Sequence, residues 1–421
     1  MKIQKIPCAK GEMTVPGDKS ISHRGVMLGA LGEGTSEVTG FLRGADCLST
    51  IDCFRNMGVP ITLEKDTVQI SGVGLHGLRK PEKTLYTGNS GTTTRLLCGL
   101  LAGQNFTAEL DGDASIRKRP MARVTEPLRR MGAEFNSDFC PLRVTGHPLH
   151  AISYQMPVAS AQVKTSLLLA GLYAEGTTVL TEPAVSRDHT ERMLRAMGAD
   201  LVSDGTKVSV TPGKILSAER FEVPGDISSA AFFLVLGAIL PHSEITVRNV
   251  GINPTRDGVI EVLKNMGADI LVEHQRLAAG EPVADLTVRT SELSGCEIGG
   301  SLIPRLIDEL PVLAVAAAFA KGTTRIYDAQ ELMVKETNRI RAVADEFRKC
   351  GIDIEETADG MIIHGGKAFH GAAFHTYGDH RMAMSLAVLA QGADGDSCLD
   401  DAACVLVSYP NFFEDLYRLG E

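Results

Sequence analysis

Apolar and polar positions along this chain fall into a unit that recurs. An apolar, helix-like run ends in Gly, and a short β-branched strand follows. After a loop with Asp or Asn comes an amphipathic helix that closes on Met-Gly or a near variant. The copies pair GVMLGALGEGTSEVTG with FRNMGV, TTRLLCGLLAGQNFTAEL with LRRMGAEF, TSLLLAGLYAEGTTVL with MLRAMGADL, AAFFLVLGAILPHSEITV with VLKNMGADI, and LAVAAAFAKGTTRIY with EFRKCGIDI. A weaker copy pairs MAMSLAVLAQGADGDSCL with FEDLYRLG. Apolar residues ahead of the closing glycines step at helical spacing. Gly58, Gly132, Gly198, Gly267 and Gly351 stand where a helix stops in the left-handed conformation. A single helix ending in Met-Gly means little; recurrence with strand and helix in the same order carries the inference. The period is roughly 70 residues, long enough for a βα substructure with two helices, and about six copies suggest three per domain.

A second duplication marks where the chain changes domain. Val15-Pro16-Gly17-Asp18-Lys19-Ser20 opens one half and Val223-Pro224-Gly225-Asp226-Ile227-Ser228 the other. In each, a strand is expected to end at Pro-Gly and a helix to begin after Asp or Ser. The expected division is a discontinuous domain of residues 1–17 and 223–421, containing both termini, with residues 18–222 inserted as a second domain.

Composition narrows the function. The 421 residues exceed one ordinary core, and the apolar fraction of 44% is that of a globular protein. A formal net charge of −10 excludes a general binder of nucleic acid or anionic membrane, so every local cluster of Lys and Arg gains meaning. The start, MKIQKIPCAKGEM, has no apolar segment of a signal peptide. The most apolar run, Ala230–Leu240, is too short to span a bilayer. Nine cysteines form no CxxC pair, so neither a zinc site nor a redox pair is suggested, and reduced thiols fit a cytoplasmic location.

Four short segments concentrate cations, hydroxyls and Gly. Lys19, Ser20 and Arg24 lie at an expected helix N-terminus, where backbone N–H groups and the dipole attract anions. Asn89, Gly91, Thr92 and Arg95 belong to GNSGTTTR, whose small residues let backbone approach a ligand and whose consecutive amides can form an anion nest; the Gly-Lys-Ser/Thr of a Walker loop is missing. Arg119 belongs to a run of three cations, Arg117-Lys118-Arg119. Lys335 and Arg339 share a helical face, with Glu336 beside them. Asp308 precedes the apolar run Leu310–Ala320, a setting for a carboxylate base, and Asp379-His380-Arg381 opens another apolar helix. Each segment alone reads equally well as a capped helix start with surface ion pairs. Together, cations at so many strand-to-helix turns suit small substrates carrying several negative charges, if helices of both domains aim their N-termini into one cleft.

At these residues the chain resembles the 5-enolpyruvylshikimate-3-phosphate synthase family. GDKSISHR, GNSGTTTR, KRPM, SAQVKTSLLLAGL, SRDHTERM, VPGDISSAAFF, VKETNR and DHRMAMS occur in the family's order over nearly the whole chain, in a form closer to the class II branch. The resemblance implies two inside-out α/β domains, each of three βαβαββ units around buried helices, closing over the substrates in the cleft between them. It implies transfer of the enolpyruvyl group of phosphoenolpyruvate to the 5-hydroxyl of shikimate 3-phosphate by a monomer with no metal and no organic cofactor. By motif, Lys19, Ser20, Arg24, Ser160, Ala161, Gln162, Ser186, Asp308 and Lys335 form the shikimate 3-phosphate set, in which Ser160, Ala161, Gln162 and Ser186 match the segment near the sugar-like ring and its phosphate. Lys19, Asn89, Gly91, Thr92, Arg95, Arg119, Gln162, Arg339, His380 and Arg381 form the phosphoenolpyruvate set. The catalytic groups so implied are Asp308, Glu336 and Lys19.

Three positions depart from the family. Asn338 stands where Asp is usual, Ala161 replaces a serine of class I members, and Val407 occupies the place of a class I lysine. Gly91 is the small residue usual in glyphosate-sensitive members. The nearest rival, a UDP-N-acetylglucosamine enolpyruvyl transferase, is opposed by Lys19-Ser20-Ile21-Ser22 and by a KRPM loop without Cys. A non-catalytic anion-binding protein is the alternative of another class; Asp308 and Glu336 among the cations favour the enzyme.

Overall fold

In the computed structural model, which describes residues 1–421, the closing glycines adopt the conformation their helices require. Gly58, Gly132, Gly198, Gly267 and Gly351 have φ of +86°, +108°, +88°, +98° and +79°, a region an L-residue with a Cβ avoids. Contacts divide the chain into one unit of Met1–Pro16, Pro224–Leu277 and Pro282–Glu421 and another of Gly17–Val223 with Ala278–Glu281. Gly17 and Val223, expected with the discontinuous domain, are grouped by contact with the inserted one. There, Val223 N donates to the Thr39 carbonyl, and a Cβ on Gly17 would lie 1.9 Å from the Gly40 carbonyl oxygen. The turn Ala278–Glu281 likewise leaves the sequence-expected range.

The inserted unit carries three four-stranded sheets of one design. In spatial order these are Arg220–Glu222, Glu33–Thr39, Thr67–Val73 and Ile61–Glu64; Leu85–Tyr86, Thr107–Asp111, Leu142–Thr145 and Glu134–Phe135; and Ser153–Gln155, Thr178–Thr181, Lys207–Thr211 and Asp200–Asp204. The first two strands of each are parallel and the remaining pairings antiparallel. The second and third sheets follow βαβαββ connectivity in chain order, and the first takes its leading strand, Arg220–Glu222, from the far end of the unit. Three helices, Lys19–Leu31, Gly91–Ala102 and Ala161–Gly171, bury nearly all their residues. Each is mostly apolar or small, and the polar side chains of His23, Arg24 and Lys164, buried near the helix starts, are hydrogen-bonded there. Ala45–Asn56, Ala122–Arg130 and His189–Ala196 bury one face only. Gly99 lets two buried helices close up: a Cβ there would sit 1.9 Å from the Ser166 carbonyl oxygen.

The other unit repeats the design. Lys10–Thr14 runs parallel to Glu244–Gly251, which pairs antiparallel with Glu281–Arg289, with Asp269–Ala278 outermost. Arg248 grips Glu12 through Nε at 3.0 Å and Nη2 at 2.6 Å. Glu297–Ile298, Gly322–Ile326, Met361–Gly365 and Asp353–Glu356 form the second sheet. Helices Ile227–Ile239, Leu310–Phe319 and His380–Gln391 are buried; Arg339–Lys349 is amphipathic. The sixth copy is shorter than the βαβαββ expectation. It pairs Ala373–Phe374 in parallel with Cys398–Leu399, around His380–Gln391 and ahead of Phe412–Arg418, and its antiparallel pairing is reduced to a single bridge from Lys2 to Cys398. The weak repetition of its apolar pattern reflects that loss. No helix is long and apolar enough to cross a membrane.

Candidate functional site

The three buried helices of the inserted unit begin with side-chain caps. Asp18 accepts from Ile21 N at 2.9 Å, Ser90 from Thr93 N at 3.1 Å and Ser160 from Val163 N at 3.4 Å, each satisfying an orphan amide. Polar bonds then tie these N-termini together. Arg24, 3% exposed, donates to Thr190 Oγ1 at 2.7 Å, Thr165 Oγ1 at 2.9 Å and the Ser20 carbonyl at 2.9 Å. His23 Nδ1 shares a hydrogen bond with Thr50 Oγ1 at 2.7 Å, Thr50 with Thr93 at 2.8 Å, and Thr93 with Ser90 at 2.7 Å. Burial first, then Lys19 and Arg24, holds the His23 pKa well below its ordinary value, so a neutral imidazole sits behind Lys19. Lys19 Nζ lies 3.2 Å from Asp46.

Of the expected phosphoenolpyruvate residues, Asn89, Gly91, Thr92, Arg95, Arg119 and Gln162 form one patch. Arg95 Nη1 donates to Gln162 Oε1 at 2.7 Å, and Gln162 Nε2 to Thr92 Oγ1 at 3.1 Å. Arg119, 8% exposed, donates to Asn89 Oδ1 at 2.9 Å. A Cβ built on Gly91 would meet Arg95 Nη1 at 3.0 Å and Arg119 Nη1 at 3.1 Å, so both guanidiniums close over the helix start. Helix dipole and two cations there favour an anion. Ser186 is buried, and its hydroxyl donates to Glu182. A groove of about 610 Å³ lined by Leu31, Leu172, Tyr173 and Ile215 opens at the opposite ends of these helices and holds none of these groups.

The other unit assembles its own cluster around Arg339, whose side chain is 1% exposed. Its Nε donates to Asp379 Oδ2 at 2.8 Å and Nη2 to Asp379 Oδ1 at 3.1 Å. Nη2 also reaches Glu336 Oε2 at 2.6 Å, and Nη1 lies 3.4 Å from Asp308 Oδ1. Burial opposes the charge, and Asp379, Glu336 and Asp308 outweigh it, holding the guanidinium pKa above its ordinary value. Lys335 Nζ lies 3.4 Å from the same Asp308 oxygen. Asp308, Glu336, Lys335 and Arg339 thus share one constellation: two carboxylates suited to proton transfer beside two cations suited to holding an anion.

Asp379 also caps the helix His380–Gln391 by accepting from Arg381 N at 2.9 Å, which puts Arg381 and His380 (7% and 2% exposed) at that helix start. Arg381 Nη1 lies 3.9 Å from Glu309, whose partners include Ser228 and, at 3.8 Å, Arg256. Asn338, the departure from the family pattern, caps Arg339–Lys349 by accepting from Arg341 N at 3.2 Å; its amide oxygen serves where a carboxylate oxygen would. Val407 lies partly exposed at the end of the turn Ala403–Val407.

Sequence reasoning missed several supporting residues. Asp379 was read only as a helix start, yet it carries the strongest contacts of Arg339. Glu182 and Glu309 have no motif spacing to single them out, because their partners come from other elements.

With this geometry established, comparison with known proteins is direct. Residues 3–416 match the family described as EPSP synthase (3-phosphoshikimate 1-carboxyvinyltransferase). The chain is 55% identical over 415 residues to a 3-phosphoshikimate 1-carboxyvinyltransferase of Bacillus thuringiensis subsp. konkukian, covering 98% of this chain and 97% of that one. It is 54% identical over 419 residues to the protein of the same name from Desulforamulus reducens, covering 98% of each. A solved EPSP synthase from Acinetobacter baumannii superposes with a TM-score of 0.88 at 47% identity, covering 100% of this chain and 98% of that one. The chain therefore belongs to the EPSP synthase (3-phosphoshikimate 1-carboxyvinyltransferase) family.

Proposed function

We propose that this protein transfers the enolpyruvyl group of phosphoenolpyruvate to the 5-hydroxyl of shikimate 3-phosphate and releases phosphate, as a cytoplasmic monomer. Family membership supports the reaction. The single observation that carries the chemistry is the Asp308–Lys335–Arg339–Glu336 constellation.

In the addition step Asp308 takes the proton of the 5-hydroxyl as that oxygen bonds to the central carbon of phosphoenolpyruvate. Glu336 or Lys19 delivers a proton to the methylene carbon, which makes the central carbon cation-like and open to attack. In the elimination step the C–O bond to phosphate breaks, and a proton leaves the methyl group to restore the double bond. Lys and Arg stabilise the departing phosphate. Lys19, Ser20, Arg24, Ser160, Ala161, Gln162, Ser186 and Lys335 hold the acceptor. Asn89, Gly91, Thr92, Arg95, Arg119, Gln162, Arg339, His380 and Arg381 hold the donor. Exclusion of water would protect the intermediate.

The test is phosphate release from phosphoenolpyruvate with each acceptor in turn. Release is expected with shikimate 3-phosphate and none with UDP-N-acetylglucosamine; the reverse result refutes the reading. Asp308→Ala and Glu336→Gln are each expected to lower turnover by roughly 10²–10⁴-fold with unchanged circular dichroism. Near-normal rates in either variant would remove that residue from its role.

A further inference from the structure

We propose that Lys164 is a positioning residue that sets Ser186 for the phosphate end of the acceptor, a proposal that rests on the function argued above. Lys164 lies in the helix Ala161–Gly171, just after the expected acceptor residues Ala161 and Gln162, and its side chain is 2% exposed. Its ammonium has three N–H donors and meets three acceptors. These are Glu182 Oε2 at 2.8 Å, Glu191 Oε1 at 2.7 Å and the Ser186 carbonyl at 3.1 Å. Burial opposes its charge, and Glu191 and Glu182 outweigh that, raising the lysine pKa.

Glu182 completes the clamp. It accepts the Ser186 hydroxyl, and its Oε2 also receives Ser186 N at 3.4 Å. The amide, hydroxyl and carbonyl of Ser186 are therefore all held by Lys164 and Glu182. Three elements meet there: the helix Ala161–Gly171, the end of the strand Thr178–Thr181, and the helix His189–Ala196 that carries Glu191. The neighbouring Thr165–Thr190 hydrogen bond, at 2.7 Å, joins two of the same elements beneath Arg24.

Charge decides what this cluster can do. Two carboxylates to one ammonium leave it negative, so it cannot itself attract a phosphate. Its effect on an anion has to pass through the group it places. In the structure the Ser186 proton points at Glu182, whereas phosphate oxygens only accept. To bind phosphate, the hydroxyl must turn its proton away from Glu182, and a buried carboxylate that loses a partner is costly. Lys164 stays on Glu182 while the hydroxyl turns, which keeps that carboxylate satisfied and lowers the cost of the switch.

The test uses the full-length protein and steady-state phosphate release with both substrates varied. Lys164→Met is expected to raise the KM for shikimate 3-phosphate about tenfold or more, with kcat and the phosphoenolpyruvate KM changed less than about twofold. Glu191→Gln leaves the ammonium, Glu182 and Ser186 in place and is expected to move the same KM less than about threefold. Should Lys164→Met not fold, Lys164→Met/Glu191→Gln removes one uncompensated charge and carries the same comparison. An unchanged acceptor KM in a folded Lys164 variant overturns the proposal. So does a parallel shift of both KM values and kcat, which marks general loosening. Failure of the unmodified protein to release phosphate would overturn the proposed function together with this inference. Release by the unmodified protein with no KM split in the variant would overturn this inference alone.

Discussion

Gly91→Ala tests the proposed donor patch with the smallest change available. Gly91 opens the helix Gly91–Ala102, in a backbone conformation that alanine accepts, so the fold should gain about 0.4–1 kcal/mol from a stiffer unfolded chain. The added methyl would stand 3.0 Å from Arg95 Nη1 and 3.1 Å from Arg119 Nη1. Optimal non-bonded contact lies near about 3.5 Å or beyond, so each guanidinium has to retreat by a few tenths of an ångström. Neither moves without consequence: Arg95 is bonded to Gln162 at 2.7 Å and Arg119 to Asn89 at 2.9 Å. Weakening one charge-assisted hydrogen bond to the donor costs about 1.5–3 kcal/mol. At about 1.4 kcal/mol per decade, that is a rise of roughly 10- to 150-fold in the KM for phosphoenolpyruvate. The KM for shikimate 3-phosphate should stay within about threefold, because Arg24 and the Ser186 loop are untouched. Initial-rate phosphate release with each substrate varied, plus a thermal melt, reads all of this. A phosphoenolpyruvate KM within twofold of the parent, an equal rise for both substrates, or a lower melting temperature would refute the reasoning.

Two further outcomes follow from buried charge. Arg339→Met strips Asp379, which is wholly buried, of its cation. Removing one member of a buried pair costs about 3–5 kcal/mol; at about 2–4 °C per kcal/mol, calorimetry should show melting lowered by roughly 6–20 °C, and a change under 2 °C would contradict the cluster's role in stability. The depressed His23 pKa, caused by burial and then by Lys19 and Arg24, means the unfolded chain binds more protons than the native one once pH falls below 6.5. Stability is thus fully present above 6.5 and is lost as pH falls from there toward the folded pKa, by at most about 1.4 kcal/mol per pH unit. Urea unfolding of His23→Gln between pH 7 and 5.5 should show a flatter dependence than the parent; identical slopes would rule the linkage out.

What the sequence discloses and what it hides differ by range. Helix stops at Gly58, Gly132, Gly198, Gly267 and Gly351 are legible because only glycine takes those φ values cheaply. Caps at Asp18, Ser90, Ser160, Asp226, Asn338 and Asp379 are legible because cap and amide lie within three residues. The shorter sixth copy is hinted at by its weak pattern. Partners of the cations are another matter. Lys164 finds Glu182 18 positions away, and Arg339 finds Asp379 40 positions away; no local periodicity connects such pairs, since tertiary packing alone brings them together. The motifs therefore drew attention to the cations and hydroxyls at helix starts, and left unseen the buried carboxylates that hold those groups still.

The grip of Arg248 on Glu12 spans 236 positions of chain. At about 5–20 residues per second on the ribosome, the strand Lys10–Thr14 therefore waits roughly 10–50 s for its neighbour to be made. Meanwhile residues 17–223 emerge uninterrupted, with the Arg220–Glu222 strand arriving last to finish their first sheet. Newborn chains should accordingly complete the inserted unit first, with an unpaired leading strand exposed to chaperones for about the first half of translation.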